Sequence, residues 1–142
     1  MLLLANIDPQ PRGRGPRLLS NQFSEKDRDQ FCLGIDQFNK QEFFECHETL
    51  EGIWLKQEGG TKELLQGLIQ LAVGYHHMLK GNSKGALKLL KRGLERVAKH
   101  KPAALGLALS DLCEGVQTTL AEMDDNPEAQ IDAASIPRVR FL

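Results

Sequence analysis

The stretch from Leu64 to Leu79, LLQGLIQLAVGYHHML, contains no Asp, Glu, Lys or Arg. A helix without charge on any face is normally surrounded by other parts of a protein. Polar residues such as Gln66 and His77 interrupt the stretch, and it is short for a membrane span. We therefore predict a buried central helix, and the rest of the chain must supply the helices around it.

Apolar residues recur at helical spacing on both sides of this stretch. The pattern predicts an all-α protein, a compact bundle of about five helices arranged as stacked antiparallel helical hairpins. In chain order the predicted helices cover about residues 25–38, 41–57, 64–79, 84–100 and 102–123. The predicted start signals are Ser24, Thr61, Asn82 or Ser83, and Pro102. No segment shows the alternation typical of a strand in a sheet.

At 142 residues the chain has the length of a single domain. We expect a flexible N-terminal arm over residues 1–22, a helical bundle domain over residues 23–125 and an extended C-terminal tail over residues 126–142. Arginines in the arm could contact an anionic partner, or they could simply be solvated. The tail carries three apolar side chains that could pack on the bundle or on another copy of the chain: Ile136, Val139 and Phe141.

The net charge and the cysteine content indicate which partners and which cellular compartment to expect. The formal net charge of -1 gives no reason to expect nucleic acid or an acidic membrane as partner. The basic face of the fourth predicted helix lacks the interleaved aromatic residues that stack bases. Three cysteines without C-x-x-C spacing favour a reducing compartment. The short apolar start does not form a signal peptide, so we expect a cytoplasmic protein that binds neither membrane nor nucleic acid.

Ionisable side chains meet apolar faces only in the second and third predicted helices. His47 falls in line with Leu50 and Trp54 on the second helix, and Glu48 and Glu51 lie on the adjacent stripe. On the third helix one line of residues is partly polar, and it consists of Gln66, Gln70, Val73 and His77. Buried polar groups need partners. We therefore predict a polar cluster where these two helices meet.

At these residues the sequence resembles the domain of unknown function family 309. The resemblance rests on F-N-x-x-x-F-F-E-x-H-E-x-L-E-x-x-W from Phe38 to Trp54, on G-x-I-Q-x-A-x-x-x-H-H from Gly67 to His77, and on G-N-x-x-G-A-x-x-L from Gly81 to Leu89. It implies a compact helical bundle whose biochemical role is not established. A small residue, often glycine, is usual in the first interhelical turn, where this chain has Gln41. The motif positions carried over are Glu45, His47, Glu48, Glu51, Trp54, Gln70 and His77.

Three interpretations of the cluster stay open. It could be a buried hydrogen-bonded network that fixes helix register. It could line a cleft for a small ligand or a peptide, with Trp54 and Tyr75 as walls. It could also bind a divalent metal ion, and with an open coordination position Glu48 could then act as the general base of a metal-dependent hydrolase. The metal ligands in that interpretation are His47, Glu48, Glu51 and His77.

We favour a non-enzymatic binding or interaction module over the metal-dependent hydrolase. H-E-x-x-E is a weak metal signature by itself, and no nucleophile or phosphate-binding loop accompanies it. The expected partner is an unidentified small ligand or protein. The sequence is also compatible with a homo-oligomer.

Overall fold

A computed structural model of the chain describes residues 23–126 and 130–142. Five α-helices dominate these residues, and each packs mainly against its neighbours in sequence. They are α1 (Glu25–Asn39), α2 (Phe43–Trp54), α3 (Gly59–Leu79), α4 (Ser83–Ala98) and α5 (Leu109–Asp125), and one turn of 3₁₀-helix spans Ala133–Ser135. The predicted all-α bundle is confirmed. The predicted arm over residues 1–22 lies outside the described residues.

Local chemistry sets the start of α1 and the turn that follows it. The hydroxyl of Ser24 accepts a hydrogen bond from the backbone N–H of Asp27 at 3.1 Å and so caps the first turn. After the helix, Gln41 has a φ of 63°, in the left-handed region that favours glycine. This backbone geometry would suit a glycine better than the glutamine that this chain has in the turn.

Helix α3 is the centre of the bundle, because every residue from Leu64 to Tyr75 is buried. The charge-free stretch predicted this burial. The helix nevertheless begins earlier than predicted: Gly59 opens it, and Thr61, the predicted N-cap, lies inside its first turn. Gly59 has a φ of 64°, which lets the extended backbone at Glu58 turn into the helix. No helix in the described part of the chain has the length and apolar character needed to cross a membrane.

Glycines bring α3 and α4 into close contact. A Cβ on Gly74 would lie 2.8 Å from Cδ2 of Leu90 and 3.1 Å from the Leu90 backbone nitrogen. A Cβ on Gly93 would lie 2.9 Å from the backbone oxygen of Gly67. Backbone atoms cannot swing aside as the tip of a flexible side chain can. The two helices are therefore as close as their backbones allow.

The prediction that Pro102 starts the last helix is wrong, and so is the expectation of no strand. Two short antiparallel strands, β1 (Ala103–Ala104) and β2 (Leu107–Ala108), precede α5. Leu105 and Gly106 connect them with φ values of 53° and 74°, as in a tight two-residue hairpin turn. Alanine and leucine have a high intrinsic preference for helix, so the local sequence does not predict this hairpin.

The end of the chain packs on the bundle. Ile136 and Val139 are buried. The Asn39 side chain holds the Val139 backbone from both sides: its Nδ2 donates to the Val139 carbonyl at 2.8 Å, and its Oδ1 accepts from the Val139 N–H at 2.7 Å. The N–H of Ala108 donates to the carbonyl of Arg140 at 2.8 Å. Ile136 and Val139 therefore pack on the bundle, whereas Phe141 is 46% exposed.

Candidate functional site

The structure does not bury the predicted polar cluster as a unit. Trp54 and Gln70 are buried, His47, Glu51 and His77 are half-buried, and Glu45 and Glu48 are exposed. The two histidines have short contacts with Phe44 and Asn82 instead of with other members of the cluster. The predicted buried network is not confirmed, because two of the α2 carboxylates point out into solvent.

A row of rings runs across the surface from α2 to α3. The His47 and Phe44 ring centroids are 5.3 Å apart, Phe44 and His76 are 5.7 Å apart, and His76 and His77 are 6.1 Å apart. Phe44 is 49% exposed. The sequence analysis assigned no role to His76 or Phe44. The contact between the Phe44 and His76 rings depends on how α2 crosses α3, and sequence spacing does not reveal this crossing.

The electrostatics of this row favour a neutral imidazole at His76. Burial lowers the pKa of His76 below its ordinary value of 6.5, and positive charge on Lys80, His77 or His47 lowers it further. Glu45 acts in the opposite direction but does not outweigh them. His76 is therefore uncharged at neutral pH and adds mainly ring surface to the patch around Phe44.

The predicted metal ligands do not converge on one point: they are His47, Glu48, Glu51 and His77. Among the residues that the structure describes, no group of three or more His, Cys, Asp or Glu side chains is arranged to hold a metal ion. Nδ1 of His47 lies 3.1 Å from the carbonyl oxygen of Phe44. A protein metal site needs three or four converging ligands. These residues therefore do not fit a divalent metal ion, and the hydrolase interpretation is not favoured.

Two buried glutamines on α3 lack part of their hydrogen bonding. Gln66 is 3% exposed and Gln70 is 1% exposed, one helical turn apart. Neither Nε2 of Gln66 nor Oε1 of Gln70 has a hydrogen-bond partner among the described residues. A buried polar atom without a partner costs about 1–3 kcal/mol. This part of α3 thus carries an unmatched donor beside an unmatched acceptor.

These glutamines point away from the core of the bundle. Tyr75 marks the inner side of α3, since its ring lies 5.7 Å from that of Phe43 and its hydroxyl lies 2.9 Å from Oγ1 of Thr119. At about 100° per residue, Gln66 lies about 180° around the helix from Tyr75. The unmatched atoms therefore lie on the side of α3 opposite its core contacts.

Helices α2 and α4 flank this side. The contact of Gly74 with Leu90 marks the direction of α4, and the contact of His76 with Phe44 marks the direction of α2. The two glutamines fall between these directions on the helical wheel. We call this surface the outer face of α3, and it consists of Gln66, Gln70, Val73 and His77.

The two flanking helices carry opposite charges. On α2, Glu48 is exposed and Glu51 is half-buried, and the ion pairs found within the described residues involve neither of them. On α4, Lys84, Lys88 and Lys91 are exposed. Acidic side chains of α2 thus lie at one border of the outer face of α3, whereas the side of α4 that meets this face is marked by Gly85, whose Cβ would lie 3.2 Å from Cδ2 of His77.

Part of the chain is similar to a known protein family. Residues 31–89 match the family model described as Domain of unknown function (DUF309). The chain is similar to this family over that segment. The matched segment begins at Phe31 in α1 and ends at Leu89 in α4, so it includes all of α2 and the whole outer face of α3.

A relative of the chain is the uncharacterized protein YpuF of Bacillus subtilis (strain 168). It is 33% identical over 86 residues, which make up 58% of this chain and 49% of the relative. The chain thus spans about half the length of this curated relative. Neither the DUF309 description nor the name of the relative states an activity.

Within the matched segment, the indole N–H of Trp54 is a second unmatched donor. Its side chain is 3% exposed, and its indole Nε1 has no hydrogen-bond partner among the described residues. Nζ of Lys62 lies 4.5 Å from the centroid of the ring, within the range of a cation–π interaction. Lys62 precedes Gln66 by one helical turn. Trp54 therefore lies near the Gln66 end of the outer face.

A second polar cluster ties the start of α3 to the end of α4. Oε2 of Glu63 lies 3.0 Å from Nζ of Lys99, and Oε1 lies 3.2 Å from Nε2 of His100. Burial by itself would raise the pKa of Glu63, but the hydrogen bonds and charges of Lys99 and His100 outweigh it and lower the pKa. The sequence analysis assigned no role to His100. Its partner, Glu63, lies 37 residues earlier in the sequence and on another helix, so local spacing gives no signal of the contact.

The three cysteines should differ sharply in reactivity. Cys32 is exposed, whereas Cys46 and Cys113 are buried, and all three are free. Burial raises the pKa of Cys46 to about 12 and also raises the pKa of Cys113. Because the thiolate is the reactive form, we expect iodoacetamide to modify only Cys32 rapidly in the folded protein at pH 8, as mass spectrometry would detect. A Cys32→Ser control should lose this rapid reaction, and rapid labelling of Cys46 in that control would contradict the structure.

Proposed function

We propose that the protein is a non-enzymatic binding module that holds an extended peptide segment on the outer face of α3. The observation that carries this proposal is the pair of buried, unmatched amide atoms, Nε2 of Gln66 and Oε1 of Gln70. A peptide unit offers the complementary groups, since its C=O can accept from Gln66 and its N–H can donate to Gln70.

The spacing of the two glutamines supports an extended segment. Residues four apart on a helix have Cβ atoms about 5–6 Å apart. In an extended chain, alternate residues are about 6.6 Å apart and present their backbone groups in the same direction. Successive peptide groups along one edge of such a segment could therefore reach Gln66 and Gln70 together.

The side chains at the borders of the outer face offer further contacts to a bound peptide. The acidic side chains of Glu48 and Glu51 on α2 can fix the orientation of a bound segment by its charges. The half-exposed ring of Phe44, next to His76, adds apolar area at one end. In this proposal the predicted residues His47, Glu51, Trp54 and His77 border the peptide site instead of forming a network of their own.

Peptide selection from a displayed library of random twelve-residue sequences tests this function. We expect sequences to be enriched on the wild-type full chain and not on a Gln66→Leu/Gln70→Leu variant, because leucine removes both amide contacts while filling similar volume. Gln117→Leu is the matched control, since it adds leucine at an exposed position on α5. Failure to enrich any sequence, or equal enrichment on the double variant, would refute the proposal.

A further inference from the structure

We propose that the outward side of α4 is a second interaction surface, and that the partner it fits is an acidic helix of another protein. The surface is a basic patch of four exposed cations: Lys84, Lys88, Lys91 and Arg92. This inference goes beyond the proposed function, because the basic patch and the outer face of α3 are different surfaces. It is carried by the position of the four cations, by their lack of counterions and by the helix end at which they lie.

The four cations lie on the side of α4 that faces away from α3. At about 100° per residue, all four fall within an arc of about 100° on the helical wheel. The residues of α4 that meet α3 lie on the opposite side of the wheel. A Cβ on Gly93 would lie 2.8 Å from Cδ2 of Leu71, and Leu90 contacts Gly74. The core therefore uses the apolar side of α4, and the basic patch is left to solvent.

The basic patch has no counterions of its own. The ion pairs found within the described residues involve none of its four cations, nor Glu95, the one acidic residue of α4. Helical spacing instead brings like charges together, because Lys84 precedes Lys88 by four residues and Lys88 precedes Arg92 by four. Like charges at this spacing destabilise a helix. The free protein thus carries a repulsion that a bound anionic partner would relieve.

The basic patch begins at the end of α4 where cations are least favoured. The N-terminal end of a helix carries a partial positive charge, which acidic side chains stabilise. The first turns of α1, α2 and α5 contain acids. The first turn of α4 contains no acid and carries Lys84 instead. Residues that break a local rule without a packing gain are expected at functional surfaces, and Lys84 is such a residue.

The composition of the basic patch favours a short acidic partner over nucleic acid or lipid. No aromatic side chain in α4 can stack on a base, and the apolar side of α4 is not free to enter a lipid layer. The whole chain has a formal net charge of -1, so a long polyanion would also meet carboxylates elsewhere on the protein. A short segment feels mainly the patch, since salt screens charges beyond about 8 Å at physiological ionic strength.

The spacing of the cations fits an acidic helix. From Lys84 to Arg92 the basic patch extends about 12 Å along α4, at about 1.5 Å per residue. Carboxylates at positions i, i+4 and i+7 of a partner helix repeat the spacing of Lys84, Lys88 and Lys91. A helix lying alongside α4 can therefore place one carboxylate opposite each lysine. Complementary charges of this kind determine which partner binds and in which register.

A pair of synthetic helical peptides tests the inference. The glutamate probe is an alanine-rich peptide of about 18 residues whose glutamates repeat the spacing of the four cations, and the glutamine probe has glutamine at the same positions. At about 50 mM salt, we expect the full-length wild type to bind the glutamate probe about tenfold more tightly than the glutamine probe. Fluorescence anisotropy measures both affinities. Raising the salt to about 500 mM should remove most of the difference.

Reversing two charges separates a binding surface from a structural one. Lys84→Glu/Lys88→Glu should weaken binding of the glutamate probe about tenfold or more. The same variant should unfold at a higher urea concentration than the wild type, because an acid then lies in the first turn of α4 and like-charge pairs are removed. Lys26→Glu/Arg138→Glu is the matched control, since it changes the net charge equally at exposed positions on α1 and near the chain end. It should bind the glutamate probe as the wild type does.

Several results would overturn the inference. They are equal binding of the two probes to the wild type, equal loss of binding in both charge-reversal variants, and a lower urea midpoint for Lys84→Glu/Lys88→Glu. Tighter binding of a duplex DNA of about 20 base pairs than of the glutamate probe at the same salt would assign the patch to nucleic acid instead. Gln66→Leu/Gln70→Leu should bind the glutamate probe as the wild type does, so failure at the basic patch leaves the proposed peptide site on α3 unaffected.

Discussion

Replacing Gly74 by valine is expected to lower the free energy of unfolding by about 3 kcal/mol. The first carbon of the new side chain would already lie 2.8 Å from Cδ2 and 3.1 Å from the backbone nitrogen of Leu90. The side chain can yield, but the backbone of α4 cannot, so α3 and α4 must separate along their contact. Urea unfolding monitored by circular dichroism at 222 nm measures this loss.

Gly60→Ala is the matched control in the same helix. A Cβ at Gly60 would lie 3.5 Å from Cε1 of His100, an ordinary contact distance, and Gly60 does not have a positive φ. Alanine there should raise stability by about 0.5–1 kcal/mol by restricting the unfolded chain. If Gly74→Val and Gly60→Ala unfold at the same urea concentration, the close contact between α3 and α4 is not as described.

Replacing Asn39 by alanine is expected to destabilise the protein by about 2–3 kcal/mol and to release the end of the chain. The substitution removes both hydrogen bonds that hold the Val139 backbone and leaves its N–H and C=O without those partners. Trypsin should then cleave after Arg138 at least tenfold faster than in the wild type, because a protease needs a locally open segment. Timed digestion followed by mass spectrometry gives the rate.

Gln41→Ala serves as the comparison for Asn39→Ala. The Gln41 side chain makes one hydrogen bond to the same region, from Nε2 to the carbonyl of Ala133 at 2.7 Å. Its loss should cost about 1 kcal/mol and leave cleavage after Arg138 nearly unchanged. Equal cleavage rates in the two variants would mean that Asn39 does not anchor the tail.

The parts of the fold that follow from local pattern are predictable from the sequence. The absence of charge from Leu64 to Leu79 gives the central helix, and apolar spacing gives the helices around it. The hairpin after Pro102 is not predictable in this way, because its alanine and leucine residues prefer helix intrinsically. Its strands are stabilised by a distant segment, as the bond from Ala108 to Arg140 shows. Long-range pairing of this kind leaves no mark on local periodicity.

The site was predictable to a smaller extent. Helical spacing correctly places Gln66 and Gln70 on one face of α3, and it places Glu48 on a border of α2. Spacing cannot show what lies opposite a face, so it assigned His47 and the carboxylates of α2 as partners for the glutamines. The structure instead pairs His47 with the carbonyl of Phe44 and leaves Glu48 in solvent. The unmatched atoms of the glutamines become visible only in three dimensions.

Recognition of a peptide by Gln66 and Gln70 is tested most directly by the affinity of one library-selected peptide, measured by calorimetry, for the wild type, for Gln66→Leu/Gln70→Leu and for Gln117→Leu. Two lost hydrogen bonds of about 1 kcal/mol each predict binding to the double variant that is weaker by roughly 30-fold. The Gln117→Leu control should bind as the wild type does. Dissociation constants within twofold for all three proteins would contradict a peptide site on the outer face of α3.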